Sequence, residues 1–237
     1  MWRTNSENKK TLHKRINLKR EIIITNDGST SIYLPECNES YHSKHGAIQE
    51  AYHVFIKNGL SLFETKPIAV LEIGFGTGLN AFITFVEAKK VNQYINYTAL
   101  EAYPIVLEEA LQMNYASEID SSQTDLYQQL HECLWEQENT LSDNFKLTKR
   151  KQFFQDFKDE NTFDLIYFDA FGFRVQPELW SDEIFESMFK ALKPKGVLVT
   201  YACRTIIMKS MLSAGFSVEK LSGPPGKREM LRATKAI

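Results

Sequence analysis

The sequence predicts an α/β fold built on a mostly parallel sheet. Three observations carry that prediction. Strand and helix patterns alternate from residue 68 to residue 215, which is the signature of βαβ units. Two runs, Ile68 to Ile73 and Phe163 to Asp169, are almost continuously apolar, as expected of strands buried on both faces. Two closely spaced strands end the chain around Pro224-Pro225-Gly226. That ending places an antiparallel hairpin at one sheet edge.

Each element follows from its local pattern. Glu21 to Thr25 and Thr30 to Leu34 read as strands joined by the turn Asn26-Asp27-Gly28-Ser29, an appended hairpin. Ala47, Ile48, Ala51, Val54 and Phe55 recur at helical spacing between His45 and Asn58, with Gly59 as a stop. The run from Ile68 enters Gly74-Phe75-Gly76-Thr77-Gly78 and then a helix from Leu79 to about Lys90. Ile95 to Leu100 is a strand ended by Glu101, and Pro104 to Met113 begins a helix. Residues 116–142 are polar, with helical stretches around Leu126 to Leu134, and read as an insertion. Phe145 to Phe154 is a weaker strand pattern. Ser181 is placed to cap a helix running through Leu192. Lys193-Pro194-Lys195-Gly196 reads as a turn, Val197 to Tyr201 as a strand, and Thr205 to Ala214 as a helix closed by Gly215. Phe216 to Leu221 and Met230 to Ala233 are the last strands. The expected division is an N-terminal basic segment, hairpin and helix over 1–60 and the α/β domain over 61–237.

The 237 residues are 43% hydrophobic and 24% charged, which excludes a disordered, collagen-like or disulfide-scaffold chain. No stretch approaches the roughly 18–20 apolar residues of a membrane span, so no membrane partner is expected. Three dispersed cysteines, Cys37, Cys133 and Cys203, fit a reducing compartment and a cytoplasmic location. The net charge is −2, yet residues 1–20 carry +6 and residues 190–237 carry +8. Two basic ends around an acidic middle fit a polyanionic partner as well as simple solvation.

The chemistry concentrates at Glu72-Ile73-Gly74-Phe75-Gly76-Thr77-Gly78. The glycines permit a tight turn and close ligand approach, and the following helix offers free N–H donors. The spacing is G-x-G-x-G with a carboxylate two residues ahead, not the dinucleotide G-x-G-x-x-G. An acid beside the loop favours a cationic ligand such as S-adenosylmethionine over a pyrophosphate. Glu101, at the end of the next strand, is placed to accept both ribose hydroxyls. Gln152 or Asp156 would lie near the adenine. Asp169 ends the fourth strand of the sheet at the ligand-binding edge, where it would face an acceptor and take its proton. Asp164, at the other end of that strand, is structural. The candidate cofactor set is Glu72, Gly74, Gly76, Thr77, Gly78, Asn80, Glu101, Gln152 and Asp169, with Asp169 also catalytic. Cys37, His42 and His45 lack a fourth ligand at suitable spacing, so no metal site is expected.

The stretches Leu71 to Asn80, Tyr167 to Phe171, Gln176 to Trp180 and Gly223 to Met230 occur in this order. Together they resemble the methyltransferase part of the MnmC-type tRNA wobble-uridine modification enzymes, in the stand-alone MnmD-like form, over roughly residues 20–235. The resemblance implies a Rossmann-like S-adenosylmethionine-dependent methyltransferase sheet, mostly parallel with an antiparallel edge strand. It implies transfer of a methyl group to the amine of 5-aminomethyluridine, thiolated or not, in the anticodon loop of tRNA. No fused oxidase domain is expected, so other enzymes would supply the aminomethyluridine. Tyr41-His42-Ser43 and Gly46 to Ala51 also match, which implies that this helix lines the site. Gln49, Glu50, Phe171, Lys227, Arg228 and Glu229 are then the acceptor-side candidates. Phe171, Phe173 or Trp180 would stack an unstacked base, although tryptophan is more often core.

The chain departs from the pattern at Gly172-Phe173-Arg174, where a proline is usual, and at Ala202-Cys203-Arg204-Thr205. Both departures fall on the acceptor side. A transferase acting on a small-molecule amine and a non-catalytic RNA-binding relative are the competing readings.

Overall fold

The computed structural model describes residues 19–63 and 66–236. Of the basic N-terminal segment, Lys19 and Arg20 are described; Arg3, Lys9, Lys10, Lys14 and Arg15 lie outside the described residues.

The centre is an eight-stranded sheet. Its strands are β4 (Ile68–Ile73), β5 (Ile95–Leu100), β6 (Glu138–Ser142), β7 (Phe145–Arg150), β8 (Phe163–Phe168), β9 (Leu192–Thr200), β10 (Phe216–Ser222) and β11 (Glu229–Lys235). Their order is β10-β11-β9-β8-β4-β5-β7-β6. The central pairs β5·β7, β4·β5, β4·β8 and β8·β9 are parallel. The last strand, β11, inserts antiparallel between β9 and β10, so the terminal hairpin places its first strand, not its last, on the edge. The other edge is β6, antiparallel to β7. A smaller antiparallel sheet of β1 (Glu21–Ile24), β2 (Thr30–Leu34) and β3 (Glu39–Ser40) packs beside the glycine loop.

Strand alternation explains both cores. On β4, Val70 joins one apolar cluster while Leu71 and Ile73 join the other, as a side-chain period of two requires. The first face is covered by α1 (Ala47–Ala51), which continues as a π-helix over Tyr52–Lys57, and by α2 (Leu79–Lys90). The second is covered by α6 (Asp182–Ala191) and α7 (Thr205–Ser213). Glu72 shares Val70's face and lies under α2.

Three local expectations change. The polar insertion holds α4 (Tyr115–Ile119) and α5 (Thr124–Glu132), after a one-turn α3 (Leu107–Ala110), and then supplies the edge strand β6. Its polarity reflects one solvent-facing edge rather than a lack of strand. The expected turn at residues 193–196 lies inside β9, where Lys195 takes φ 67° and the register against β8 shifts. Ser181 stands at the N-cap of α6 with extended backbone, but its side chain makes no capping bond.

Candidate functional site

A cavity of about 900 Å³ opens at the C-terminal ends of β4, β5 and β8, roofed by the small N-terminal sheet. That is where open α/β sheets hold ligands. The glycine loop forms one wall. Gly74 (φ 94°) allows the chain to pass Asp169, whose carbonyl oxygen would lie 2.8 Å from an added Cβ. Gly78 (φ 72°) packs on His131, 2.9 Å from an added Cβ. The loop is anchored from behind: the Thr77 carbonyl accepts from Tyr127 Oη at 2.8 Å and faces His131 Nε2 at 3.1 Å. Burial lowers the His131 pKa to about 4, so the ring is neutral at pH 7, with its Nε2–H donating to that carbonyl.

Asn80 is the hinge between two acids. Its Nδ2 donates to Glu72 Oε1 at 3.0 Å and to Asp169 Oδ2 at 2.9 Å. Two carboxyl acceptors fix the amide orientation, since the reverse would face oxygen against oxygen. Glu72 is fully buried and lies behind the wall rather than on it. Burial, with Asp169's charge second, holds its carboxyl well above the ordinary range. Its link to the cavity wall is the Asn80 amide, and it does not line the cavity itself. Asp169 faces the cavity. Burial pushes its carboxyl up to about 7; Asn80 and Lys227 pull it down and Glu50 pushes it up.

Glu101 accepts from the backbone N–H groups of Gly76 (3.1 Å) and Tyr103 (2.8 Å). A carboxylate has about four lone-pair sites, so two remain for hydroxyl donors. Asn80 Oδ1 is buried without a hydrogen-bond partner, and its residue lines the cavity; an ammonium donor would satisfy it. A glycine cradle, a carboxylate with spare acceptor sites and an orphaned acceptor together fit the two ends of S-adenosylmethionine.

The other half of the cavity, where the acceptor-side candidates are expected, lies across Asp169. Glu50, 7% exposed, pairs through Oε2 with Lys227 Nζ and accepts from Ser43 N at 3.3 Å. Lys227 Nζ sits 4.0 Å from the Tyr201 ring centroid. Phe171 meets Tyr41 edge-on at 5.1 Å. Arg174, in one of the two departures, donates to the carbonyls of Cys37 and Asn38 and to Glu39 Oε2. It ties the loop after β8 to the N-terminal sheet.

The structure brings Gly74, Gly76, Thr77, Asn80, Glu101, Asp169, Glu50, Phe171 and Lys227 onto one cavity wall. Thr77 contributes there while its hydroxyl turns inward to Tyr115 Oη at 3.1 Å. Gly78 lies just behind the wall. Four expected residues lie elsewhere among the described contacts. Gln49 is exposed and borders a separate hollow with Tyr52, His53 and Pro225, because one residue along a helix rotates about 100° from Glu50. Gln152 is displaced because the chain turns after β7 into a 3₁₀ turn, Phe154–Asp156, and residues 153–156 line the cavity instead. Asp156 therefore replaces it as the candidate near the adenine. Arg228 is exposed on the 224–227 turn, and Glu229 is held by Lys220 at 3.1 Å. Trp180 is core, 1% exposed against Phe168 and Phe185, and donates to the Phe171 carbonyl at 2.9 Å. Phe173 stacks under Arg204.

Reading the sequence named neither Arg20 nor Tyr201 for the wall, and reached Tyr41 and His42 only through the resemblance, without a role for either. Tyr201 had a usable signal: it follows a strand at the same edge as Asp169. His42 bonds Ser31 Oγ through Nδ1 at 2.9 Å and faces Thr77 Oγ1 at 3.5 Å, a contact across sheets that no local pattern encodes. Among the described residues no group of three metal-ligating side chains converges, and no helix is long and apolar enough to cross a membrane.

A family model described as S-adenosyl-L-methionine-dependent methyltransferase matches residues 118–236. The tRNA 5-methylaminomethyl-2-thiouridine biosynthesis bifunctional protein MnmC of Campylobacter fetus is 30% identical over 212 residues, covering 86% of this chain and 34% of that protein. The same-named protein of Cupriavidus metallidurans is 25% identical, covering 89% and 33%. The chain thus spans about a third of the curated relatives it matches. Among solved structures, MNMC2 from Aquifex aeolicus superposes with TM-score 0.71 at 23% identity, covering 100% of this chain and 80% of that one. Spermidine synthase from Thermotoga maritima superposes with TM-score 0.58 at 16% identity, covering 93% and 70%. At these identities both show the fold alone.

Proposed function

The chain belongs to the Methyltransf_30 family of S-adenosyl-L-methionine-dependent methyltransferases, and from this premise we propose that it methylates the amine of 5-aminomethyluridine, thiolated or not, at the wobble position of tRNA. S-adenosyl-L-methionine is the cofactor of the family. The names of the MnmC relatives support the nucleoside. The observation that carries the reading is Asp169, held between the glycine loop and the Glu50–Lys227 pair with its carboxyl pushed up to about 7.

When bound, the cofactor supplies an electrophilic methyl group. Gly74, Gly76 and Thr77 would cradle it, Glu101 would hold its ribose, and Asn80 and Asp169 would meet its amino acid end. An alkylamine keeps its proton to about pH 10, as lysine does, and only the neutral amine is a nucleophile. A carboxylate raised toward neutrality narrows the proton-affinity gap to such an amine. Asp169 orients the nitrogen and takes its proton. Alignment of two held reactants supplies much of the acceleration, about 7–11 kcal/mol in favourable cases.

RNA contact rests on fewer cations than the charge count indicates. Arg232 is paired with Glu219 at 2.7 Å, Lys220 with Glu229, and Lys235 donates to the Leu192 carbonyl at 2.7 Å. Arg228, Lys44 and His45 are exposed near the mouth, and these would meet phosphates.

The test is transfer of labelled methyl to two tRNA pools, one bearing aminomethyluridine and one lacking it. Incorporation into the first alone is expected. No incorporation into either, with cofactor bound, overturns the acceptor assignment.

A further inference from the structure

Beside Asp169 the cavity holds one of the chain's own primary ammonium groups between a carboxylate and an aromatic ring. Lys227 Nζ pairs with Glu50 Oε2 and lies 4.0 Å from the Tyr201 ring centroid. A carboxylate on one side and an aromatic face on the other is a cation site. The seat is built rigidly. Glu50 is held from below by the Ser43 N–H, and the Tyr201 hydroxyl donates to the Ala170 carbonyl at 2.8 Å. Ala170 follows Asp169, so the ring is fixed beside that carboxyl. All four residues, Glu50, Asp169, Tyr201 and Lys227, line the same cavity.

The two partners of the ion pair are unequal. The Glu50 side chain is 9% exposed and that of Lys227 is 29% exposed. Lys227 stands on a turn whose Pro225, Gly226 and Arg228 are exposed. A lysine on a flexible four-carbon stem is readily rehydrated when it leaves. A buried carboxylate left without a cation is not. Glu50 therefore demands a cation, whereas Lys227 has no such need of Glu50.

A lysine Nζ and an aminomethyl nitrogen are the same chemical group, a primary amine on a methylene. We propose that Glu50 and Tyr201 form the seat for the acceptor's primary ammonium, and that Lys227 is an internal stand-in which the acceptor displaces. The proposal rests on the amine acceptor named above and adds where the amine is captured before Asp169 receives it. Lys227, on release, swings toward the mouth and joins Arg228 near the RNA phosphates. Capture of the amine and contact with the backbone are thereby coupled in one exchange.

The test uses the whole chain and propylammonium chloride as probe, followed by NMR titration at pH 8 with the cofactor product S-adenosylhomocysteine present. A site occupied by its own lysine nine-tenths of the time binds about tenfold more weakly than an open one. K227M is expected to bind propylammonium about tenfold more tightly than wild type, and the double variant E50Q/K227M is expected to lose the gain. If K227M melts below the assay temperature, K227Q is expected to bind propylammonium more tightly than wild type, though by less than about tenfold. Equal affinity in wild type and folded K227M, or an undiminished gain in E50Q/K227M, overturns the seat. Transfer to aminomethyluridine tRNA is measured in parallel. Amine binding as expected but no transfer overturns the tRNA reading and leaves the seat standing. Transfer without any gain in K227M overturns the seat alone.

Discussion

Asn80 Nδ2 lies 2.9 Å from Asp169 Oδ2, and the same nitrogen lies 3.0 Å from Glu72 Oε1. One amide thus serves a buried carboxyl group, Glu72, and a cavity-facing one, Asp169, from opposite sides of the cavity wall. Its donation holds the Asp169 pKa below where burial alone would put it. In N80A that restraint is gone, so the Asp169 pKa rises above about 7. If Asp169 takes the acceptor's proton as proposed, methyl transfer needs its ionised form and increases as pH rises through its pKa. The expected outcome is a rising limb of the pH–rate profile displaced to higher pH, with turnover at pH 7 reduced. Loss of hydrogen bonds to charged groups also lowers stability by about 1.5–3 kcal/mol. An unmoved limb would mean that another group sets it.

The raised pKa of Asp169 carries a cost in stability. Its folded pKa, about 7, lies above its ordinary 3.8, so between those values the folded state binds more protons than the unfolded state. The group's contribution to stability falls as pH rises through that window, and its full cost is present above about 7. D169N removes the charge. It is expected to melt above wild type at pH 8, with the advantage shrinking toward pH 4, at roughly 2–4 °C for each kcal/mol. The same variant should bind cofactor and lose transfer. Thermal melts at the two pH values check the first half, and the tRNA assay checks the second.

The two loop glycines should fail differently. In G74A the new Cβ meets the Asp169 carbonyl oxygen at 2.8 Å. Backbone cannot rotate away, so Asp169 moves, and both cofactor affinity and turnover fall. In G78A the nearest atom, at 2.9 Å, belongs to the His131 side chain. That ring yields, leaving the positive φ as the main cost, about 1–2 kcal/mol. Melting temperature and cofactor Kd measured on both variants separate the two outcomes; equal loss of affinity would contradict them.

Arg174 tests the first departure. Its side chain is 60% exposed, so R174A should change stability by less than about 1 kcal/mol. It should free residues 171–174 from the Cys37–Glu39 turn and raise the acceptor KM severalfold while cofactor Kd stays constant. A change in cofactor Kd would place the tie in the wrong half of the site.

What the sequence determined by itself is what short-range physics encodes. An apolar run ending in G-x-G-x-G must be a buried strand followed by a tight turn, and Gly74, Gly76 and Gly78 all take positive φ. Glu101 and Asp169 end strands at the same sheet edge, because parallel βαβ units present all C-terminal ends together. Those features and the alternation of strand and helix were legible from spacing alone. The edge strand β6 was not, since an edge needs only one apolar face and its sequence reads as polar. The tertiary structure decided every relation between distant residues. Asn80 and Asp169 are 89 positions apart, and Glu50 and Lys227 are 177 apart. No periodicity links such pairs. They meet because β8 is packed next to β4 and because the 224–227 turn folds against α1. Whether an acid becomes a wall residue like Asp169 or a hidden brace like Glu72 depends on which face its strand presents and what covers it. That is a property of packing, where burial and a shared amide donor set the chemistry of each carboxyl.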